Sequence, residues 1–153
     1  MRGKGYLEVK DFGILEIVEE EDGISSINFV EKIDDTIESA EVNRCIQQLK
    51  EYFLGKRREF NIKLDIRTGT EFQKKAWKAL IEIPYGETRS YQEQAMAIGN
   101  PKAVRAVGGA NNKNPISIII PCHRVIGKNK KTCRLWWRSF KKRVSAKFRK
   151  NRY

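Results

Sequence analysis

A short apolar run that ends at a proline constrains this chain more than any other feature. Residues 116–120 read Ile-Ser-Ile-Ile-Ile, and Pro121 follows them. Such a run predicts a short buried strand, and a proline ends a strand because it has no backbone N–H to donate. A thiol and an imidazole, Cys122 and His123, are therefore expected at the end of a buried element, beside the cation of Arg124.

Three interpretations of Cys122 are open at this point. Sulfur reacts as the thiolate, and neighbouring positive charge favours that form, so a cysteine beside His123 and Arg124 is a candidate nucleophile. The alternative is a buried structural cysteine, which is the common role of this residue in protein cores. A Cys-His hydrolase is a weaker third possibility, because adjacent residues at a strand end point in different directions.

The region before residue 68 predicts a small mixed sheet with one helix. The helix is indicated by apolar residues at three- and four-residue spacing between Val42 and Phe53, followed by Gly55. Alternating or β-branched runs predict four strands, at residues 6–9, 13–18, 24–30 and 60–66. We expect residues 1–67 to form a scaffold domain without catalytic residues.

The next region predicts three short helices. Thr70 and Gln73 have the spacing of a capping box, so a helix is expected from residue 70 to about residue 83. Ser90 can cap a second helix that ends before Gly99. Asn100 and Pro101 are expected to start the third helix, which runs to about residue 110. Two short helices joined by a tight glycine turn predict a helix-turn-helix.

Several motifs in this region, taken in order, resemble those of one protein family. They are Ile83-Pro84-Tyr85-Gly86-Glu87-Thr88, Ser90-Tyr91, Gly99-Asn100-Pro101, Ala-Val-Arg-Ala-Val-Gly-Gly-Ala at residues 103–110, Asn114-Pro115 and Pro121-Cys122-His123-Arg124-Val125. Together they resemble the O6-alkylguanine-DNA alkyltransferases, also called methylated-DNA–protein-cysteine methyltransferases. The resemblance implies an α+β fold with a ribonuclease H-like domain at 1–67. It also implies a winged-helix-like, DNA-binding and alkyl-acceptor domain at 68–129.

The resemblance also implies a chemistry for the motif residues. Cys122 would accept an alkyl group from O6 of guanine, or from O4 of thymine, and each molecule would act once. His123 would deprotonate Cys122 through a water, and Tyr91 would donate a proton to the departing base. Asn114 would tie the active-site loop to the helix pair, and Arg124 would support the site structurally. The alternatives are a core tyrosine for Tyr91 and a plain Asn-Pro turn for Asn114.

The second helix of the pair carries small residues where a base-reading helix carries long polar ones. The resemblance implies that this helix enters the minor groove and that Arg105 fills the space of a flipped-out nucleotide. Ser90, Tyr91, Ala103, Val104 and Gly108 would also contact DNA. The alternative for a single arginine on a helix such as Arg105 is a phosphate contact or a solvated side chain.

Charge and composition narrow the remaining possibilities. Residues 1–127 hold 19 basic and 19 acidic side chains, whereas residues 128–153 hold 12 basic side chains and no acid. No apolar run approaches the roughly 18 residues of a membrane span. Three cysteines without ligand spacing and a single histidine predict no metal site, and no cofactor is expected. We expect a cytoplasmic monomer whose partner is double-stranded DNA containing O6-alkylguanine.

The resemblance stops after Asn129. The family continues with a glycine-rich lid and a helix whose glutamate supports the histidine, but residues 130–153 form a basic tail that we expect to be poorly ordered. Tryptophan has the single codon TGG, so Trp136-Trp137-Arg138 read one base late encodes consecutive glycines. A frameshift near residues 129–132 is therefore our hypothesis. The alternative function is a DNA-binding protein with little or no transfer activity.

Overall fold

The computed structural model describes residues 1–127, so the predictions for residues 130–153 lie outside the described residues. The chain forms two compact units, Met1–Thr68 and a second that begins at Gly69. The strands are β1 Gly3–Val9, β2 Gly13–Glu20, β3 Gly23–Val30, β4 Arg89–Ser90 and β5 Val125–Ile126. The helices are α1 Ala40–Phe53, α2 Glu71–Ile81, α3 Tyr91–Ala97 and α4 Val104–Asn112. The predicted α+β class is confirmed.

The first unit is an antiparallel sheet covered by one helix. Its strand order is β1-β2-β3, with Leu7 opposite Leu15 and Ile17 opposite Ile27. Helix α1 packs on the sheet and comes closest at β1, where a β-carbon on Gly5 would lie 2.8 Å from Val42 Cγ1. Glycine is therefore needed at this position to let the helix approach the strand.

The predicted strand at residues 60–66 is reduced to a single parallel bridge, between Ile24 and Leu64. The side-chain amide of Gln48 explains part of the difference. It accepts from the backbone N–H of Asn61 at 2.9 Å and donates to the Asn61 carbonyl at 3.3 Å. These backbone groups of the segment are thus bound by a side chain of α1 rather than by a neighbouring strand.

The second unit, as far as it is described, packs three helices around a small core. Both predicted caps are present: Thr70 accepts from Gln73 N at 3.1 Å, and Ser90 accepts from Glu93 N at 3.0 Å. Trp77 of α2 is buried, and its indole N–H donates to the Ala110 carbonyl of α4 at 2.8 Å. In residues 1–127 no helix has the length and apolar character needed to cross a membrane.

The third predicted helix begins later than its sequence suggests. Asn100 does not cap it, because the chain turns at this point with Ala103 N donating to the Asn100 carbonyl at 3.0 Å. Helix α4 starts at Val104 and continues to Asn112. Proline fixes a backbone angle that suits the second position of a turn as well as the first position of a helix, so Pro101 alone does not distinguish the two.

Candidate active site

The predicted strand at residues 116–120 is wrong, because the chain forms a tight buried turn there. Ile119 N donates to the Ser117 carbonyl at 2.9 Å, and Ile120 N donates to the Ile116 carbonyl at 3.0 Å. Ile118 has a φ of 76°, a left-handed conformation that is strained for a β-branched residue. An apolar run in a sequence predicts that the segment is buried, but it does not distinguish a strand from a tight turn.

Asn114 holds the two ends of this turn together. Its side-chain oxygen accepts from Ile116 N at 2.9 Å, and its side-chain nitrogen donates to the Ile120 carbonyl at 2.7 Å. The same carbonyl accepts from Cys122 N at 2.9 Å. The Asn114 side chain and the backbone N–H of the candidate nucleophile therefore donate to the same carbonyl oxygen.

Cys122, His123 and Arg124 form a short 3-10 helix directly after this turn. All three side chains are buried, with 2 % of Cys122 exposed. The Arg124 guanidinium donates to the Ile83 carbonyl at 2.8 Å and lies 5.6 Å from the centre of the Tyr85 ring. Arg124 thus joins the 3-10 helix of Cys122 to the segment that follows α2.

Tyr91 is the first residue of α3 and is half-buried. A β-carbon on Gly108 of α4 would lie 3.7 Å from Tyr91 Cε1, so the ring lies against the small residues of the neighbouring helix. Ser90, the residue before it, uses its hydroxyl to cap α3. In return the Glu93 carboxylate accepts from Ser90 N at 2.9 Å, and this bond lowers the pKa of Glu93 below its ordinary value.

Helix α4 has a buried face and an exposed face of very different character. Val107, Ala110 and Asn111 are buried, whereas Ala103, Val104 and Gly108 are half-buried. The exposed residues on the helix and beside its ends carry positive or no charge: Lys102, Arg105, Ala106, Gly109, Asn112 and Lys113. The sequence prediction named Arg105 but missed Ala106 and Gly109. The spacing of the apolar residues could have found Gly109, since it lies opposite the buried residues, whereas Ala106 lies at the edge of the buried face, one turn before Ala110.

A pair of buried amides, also missed from the sequence, joins two of the helices. Gln94 of α3 donates to Asn111 of α4 at 2.9 Å, and Asn111 donates back to Gln94 at 2.7 Å. Gln94 also donates to the Ala76 carbonyl of α2 at 3.1 Å. The signal in the sequence that could have found this pair is a polar residue at a buried position of each helix.

The structure therefore brings Asn114 to the backbone of the Cys122 turn and Tyr91 to Gly108. It places Arg105 on the exposed face of α4. Within residues 1–127, no group of three or more acidic, cysteine or histidine residues is arranged to hold a metal ion. A buried thiol followed directly by an imidazole suits a displacement in which the sulfur is the nucleophile.

Two family models match this chain. One is the DNA-binding domain of 6-O-methylguanine DNA methyltransferase, over residues 71–147, and the other is the ribonuclease-like domain of the same proteins, over residues 4–66. The first match extends beyond residue 129, into the segment that we expect to depart from the family pattern.

Individual proteins are also similar to this chain. The methylated-DNA–protein-cysteine methyltransferase of Methanosarcina acetivorans is 54% identical over 119 residues, which are 73% of this chain and 76% of that protein. The crystal structure of Mycobacterium tuberculosis O6-methylguanine methyltransferase has a TM-score of 0.86 at 38% identity and covers 98% of this chain and 93% of its own. The crystal structure of Mycobacterium tuberculosis OGT in complex with DNA has a TM-score of 0.80 at 39% identity, over 96% of this chain and 92% of that one.

Proposed function

Because the chain belongs to the 6-O-methylguanine-DNA methyltransferase family, we propose that it repairs double-stranded DNA by taking an alkyl group from O6 of guanine onto Cys122. Transfer of a methyl group from guanine O6 to a protein cysteine is the function of this family. The proposal assigns that transfer to this chain, to this residue, and to a monomer that acts once. O4 of alkylated thymine is a second expected substrate atom.

The observation that carries the proposal is the position of Cys122. The thiol lies in a buried 3-10 helix that follows the turn at residues 116–120, and Asn114, shortly after the helix with the exposed basic face, fixes the backbone of that turn. A base that is flipped out of the duplex would enter such a site, and the low exposure of Cys122 protects the sulfur from other reagents.

The transfer step balances without a cofactor. The sulfur of Cys122 forms a bond to the alkyl carbon while the bond from that carbon to O6 breaks. The thiol proton leaves through a water to His123, and the guanine that departs takes a proton, which the phenol of Tyr91 is suited to supply. The thioether that remains has no route back to a thiol, so the protein is consumed.

The exposed face of α4 supports a binding mode that does not read sequence. Its side chains include Arg105, flanked by Lys102 and Lys113, and neither the helix nor these flanking residues include an acid. Ala106 and Gly109 allow a close approach to the floor of a minor groove, whose pattern of donors and acceptors distinguishes bases poorly. We therefore expect affinity to fall with salt and to vary little among unmodified duplexes.

The direct test follows the loss of O6-methylguanine from a duplex that is mixed with increasing amounts of protein. The proposal predicts that one methyl group disappears per protein molecule, and that Cys122→Ala removes none while still binding the duplex. Binding without any loss of O6-methylguanine by the unaltered chain would support the alternative function, a DNA-binding protein without transfer activity.

A further inference from the structure

The Gln94–Asn111 amide pair is a deeply buried polar contact between two of the described helices. Gln94 is 2 % exposed and Asn111 is fully buried, and each side chain donates to the other. Neither residue has a part in the transfer step described above. Their position between α3 and α4 is nonetheless the place where the Tyr91 helix and the Arg105 helix meet.

Such a pair is a poor way to gain stability. Burying two amides costs about as much desolvation free energy as their hydrogen bonds return, so two apolar side chains of the same shape stabilise a core equally well. A reciprocal amide pair does offer one advantage, since both bonds form at only one relative placement of the two helices. The pair therefore favours one register of α3 against α4.

Hydrogen bonds continue from this pair to the nucleophile. The backbone carbonyl of Asn111 accepts from the backbone N–H of Asn114 at 3.3 Å. The Asn114 side chain in turn donates to the backbone carbonyl of Ile120, which also accepts from the backbone N–H of Cys122. At the other end, Gln94 lies one helical turn from Tyr91. A shift of α3 would therefore move the phenol relative to both Arg105 and the Cys122 turn.

We propose that Gln94 and Asn111 are positioning residues for transfer from DNA, which hold the Tyr91 helix in register with the Arg105 helix and the Cys122 turn. This inference rests on the proposed function. It concerns the geometry of the DNA complex, so it predicts a loss with duplex substrates and almost none with a free base that needs no helix register.

The test uses variants of the full chain in which the pair is removed singly and together. Gln94→Met and Asn111→Leu each leave one buried amide without its partner, which is expected to lower the Tm by about 5 °C. The double variant replaces both amides with apolar groups of similar shape. Gln92→Met is the matched control, because Gln92 is an exposed glutamine of the same helix whose amide donates to the Pro101 carbonyl at 3.1 Å.

Four quantities are measured for each variant: the Tm, the affinity for an unmodified duplex, the saturated rate of transfer from an O6-methylguanine duplex, and the rate with free O6-benzylguanine. We expect the double variant to regain most of the Tm and to react with O6-benzylguanine at nearly the unaltered rate. Its transfer from the duplex should stay about 10- to 100-fold slower, since misplacement by 1 Å can cost that much. Its duplex affinity should stay about tenfold weaker, which corresponds to 1.4 kcal/mol.

A double variant that transfers from the duplex as fast as the unaltered chain would show that the pair only stabilises the fold, and the inference would be wrong. A double variant with a lower Tm than either single variant would equally overturn it. An unaltered chain that reacts with neither substrate would overturn the proposed function instead, and the duplex affinities of the variants would still decide the role of the pair.

Discussion

The first unit buries one polar side chain, Gln48, whereas the described part of the second unit buries six: Gln94, Asn111, Asn114, Ser117, His123 and Arg124. Gln48 binds the backbone of a neighbouring segment, so its role is structural. Burying a polar side chain costs desolvation free energy, so several buried polar side chains in one small unit indicate that these side chains have a role beyond packing. The difference fits the prediction that residues 1–67 form a scaffold domain without catalytic residues, which stays a prediction.

Backbone strain divides the two units in the same way. In the first unit Asp11 has a φ of 68°, but it lies in an exposed hairpin turn, where aspartate tolerates this conformation. In the second unit Ile118 has a φ of 76° in a buried turn four residues before Cys122. A strained β-branched residue persists only where its surroundings hold it, which is a common property of functional sites.

The two described cysteines provide the largest expected contrast. Cys45 and Cys122 are both buried, but only Cys122 follows the turn that Asn114 holds. We expect Cys122→Ala to abolish transfer and Cys45→Ala to leave the transfer rate within about twofold while lowering the Tm by about 5 °C. Single-turnover kinetics on an O6-methylguanine duplex measure both rates. A Cys122→Ala variant that still transfers would remove the distinction between the two units.

The next largest effect is expected from the segment beyond the described residues. With ordinary codons chosen to suit, residues 132–150 read one base late can become Leu-Val-Gly-Tyr-Gly-Gly-Gly-Val-Leu-Lys-Lys-Glu-Phe-Leu-Leu-Asn-Leu-Glu-Lys, which supplies a glycine-rich lid and a glutamate. Two consecutive glycines follow from Trp136-Trp137-Arg138 whatever the codons. A chain rebuilt with this segment should transfer about 100-fold faster, because a supported base contributes about that much, and should melt at a higher temperature. Equal rates for the two chains would mean that the lid is dispensable.

A smaller effect is expected from glycines with opposite roles. Nothing lies within 4 Å of a β-carbon on Gly109, so Gly109→Ala should stabilise α4 by about 1 kcal/mol while weakening duplex binding by about tenfold. Gly5→Ala is the matched variant of the first unit. It should destabilise the fold, because its β-carbon would crowd Val42, and leave the affinity of the remaining folded protein unchanged.

Thermal melts and fluorescence anisotropy with an unmodified duplex measure both variants. Unchanged affinity in Gly109→Ala would contradict a close approach of DNA to this face of α4.

The smallest effect concerns pH and the first unit alone. Burial, with the nearby charge of Glu41, raises the pKa of Cys45 from 9.0 to about 12. Between these values the folded state keeps a proton that the unfolded state has lost. The stability from the neutral thiol is therefore complete below pH 9 and falls as the pH rises, by less than about 1.4 kcal/mol per pH unit.

Urea unfolding from about pH 8 to about pH 11 measures this loss, with Cys45→Val as the control that lacks the titrating group. The free energy of unfolding should fall more steeply in the unaltered chain than in the control. Parallel curves would mean that Cys45 is less buried than described.

Local signals in the sequence predicted local structure well. The Thr70 and Ser90 caps, the three strands of the first sheet and α1 depend on side chains close in sequence, and all of them are present. The predictions of a strand at 60–66 and of a cap at Asn100 were wrong. A side chain distant in sequence binds the first segment, and a turn competes with the cap at the second. Gln48 took the backbone of Asn61, and Pro101 suited a turn as well as a helix.

In the candidate site, too, the features that depend on neighbouring residues could be predicted and the others could not. The motif residues could be named from the sequence, and the burial of Cys122 followed from its apolar neighbours. The pairing of Gln94 with Asn111 depends on a contact between two helices, and the turn at Ile118 depends on hydrogen bonds that an apolar pattern does not reveal. Spacing within one element carries no information about those contacts. The roles of the site residues stay predictions.

Mass spectrometry of the protein after reaction with an O6-methylguanine duplex tests the central claim most directly. We predict that the intact mass rises by one methyl group, and that after digestion the methyl group lies on the peptide containing Cys122 and on that cysteine. The peptide containing Cys45 should be unmodified. A methyl group on any other residue, or a duplex that loses its methyl group while the protein mass stays unchanged, would contradict the assignment of Cys122 as the acceptor.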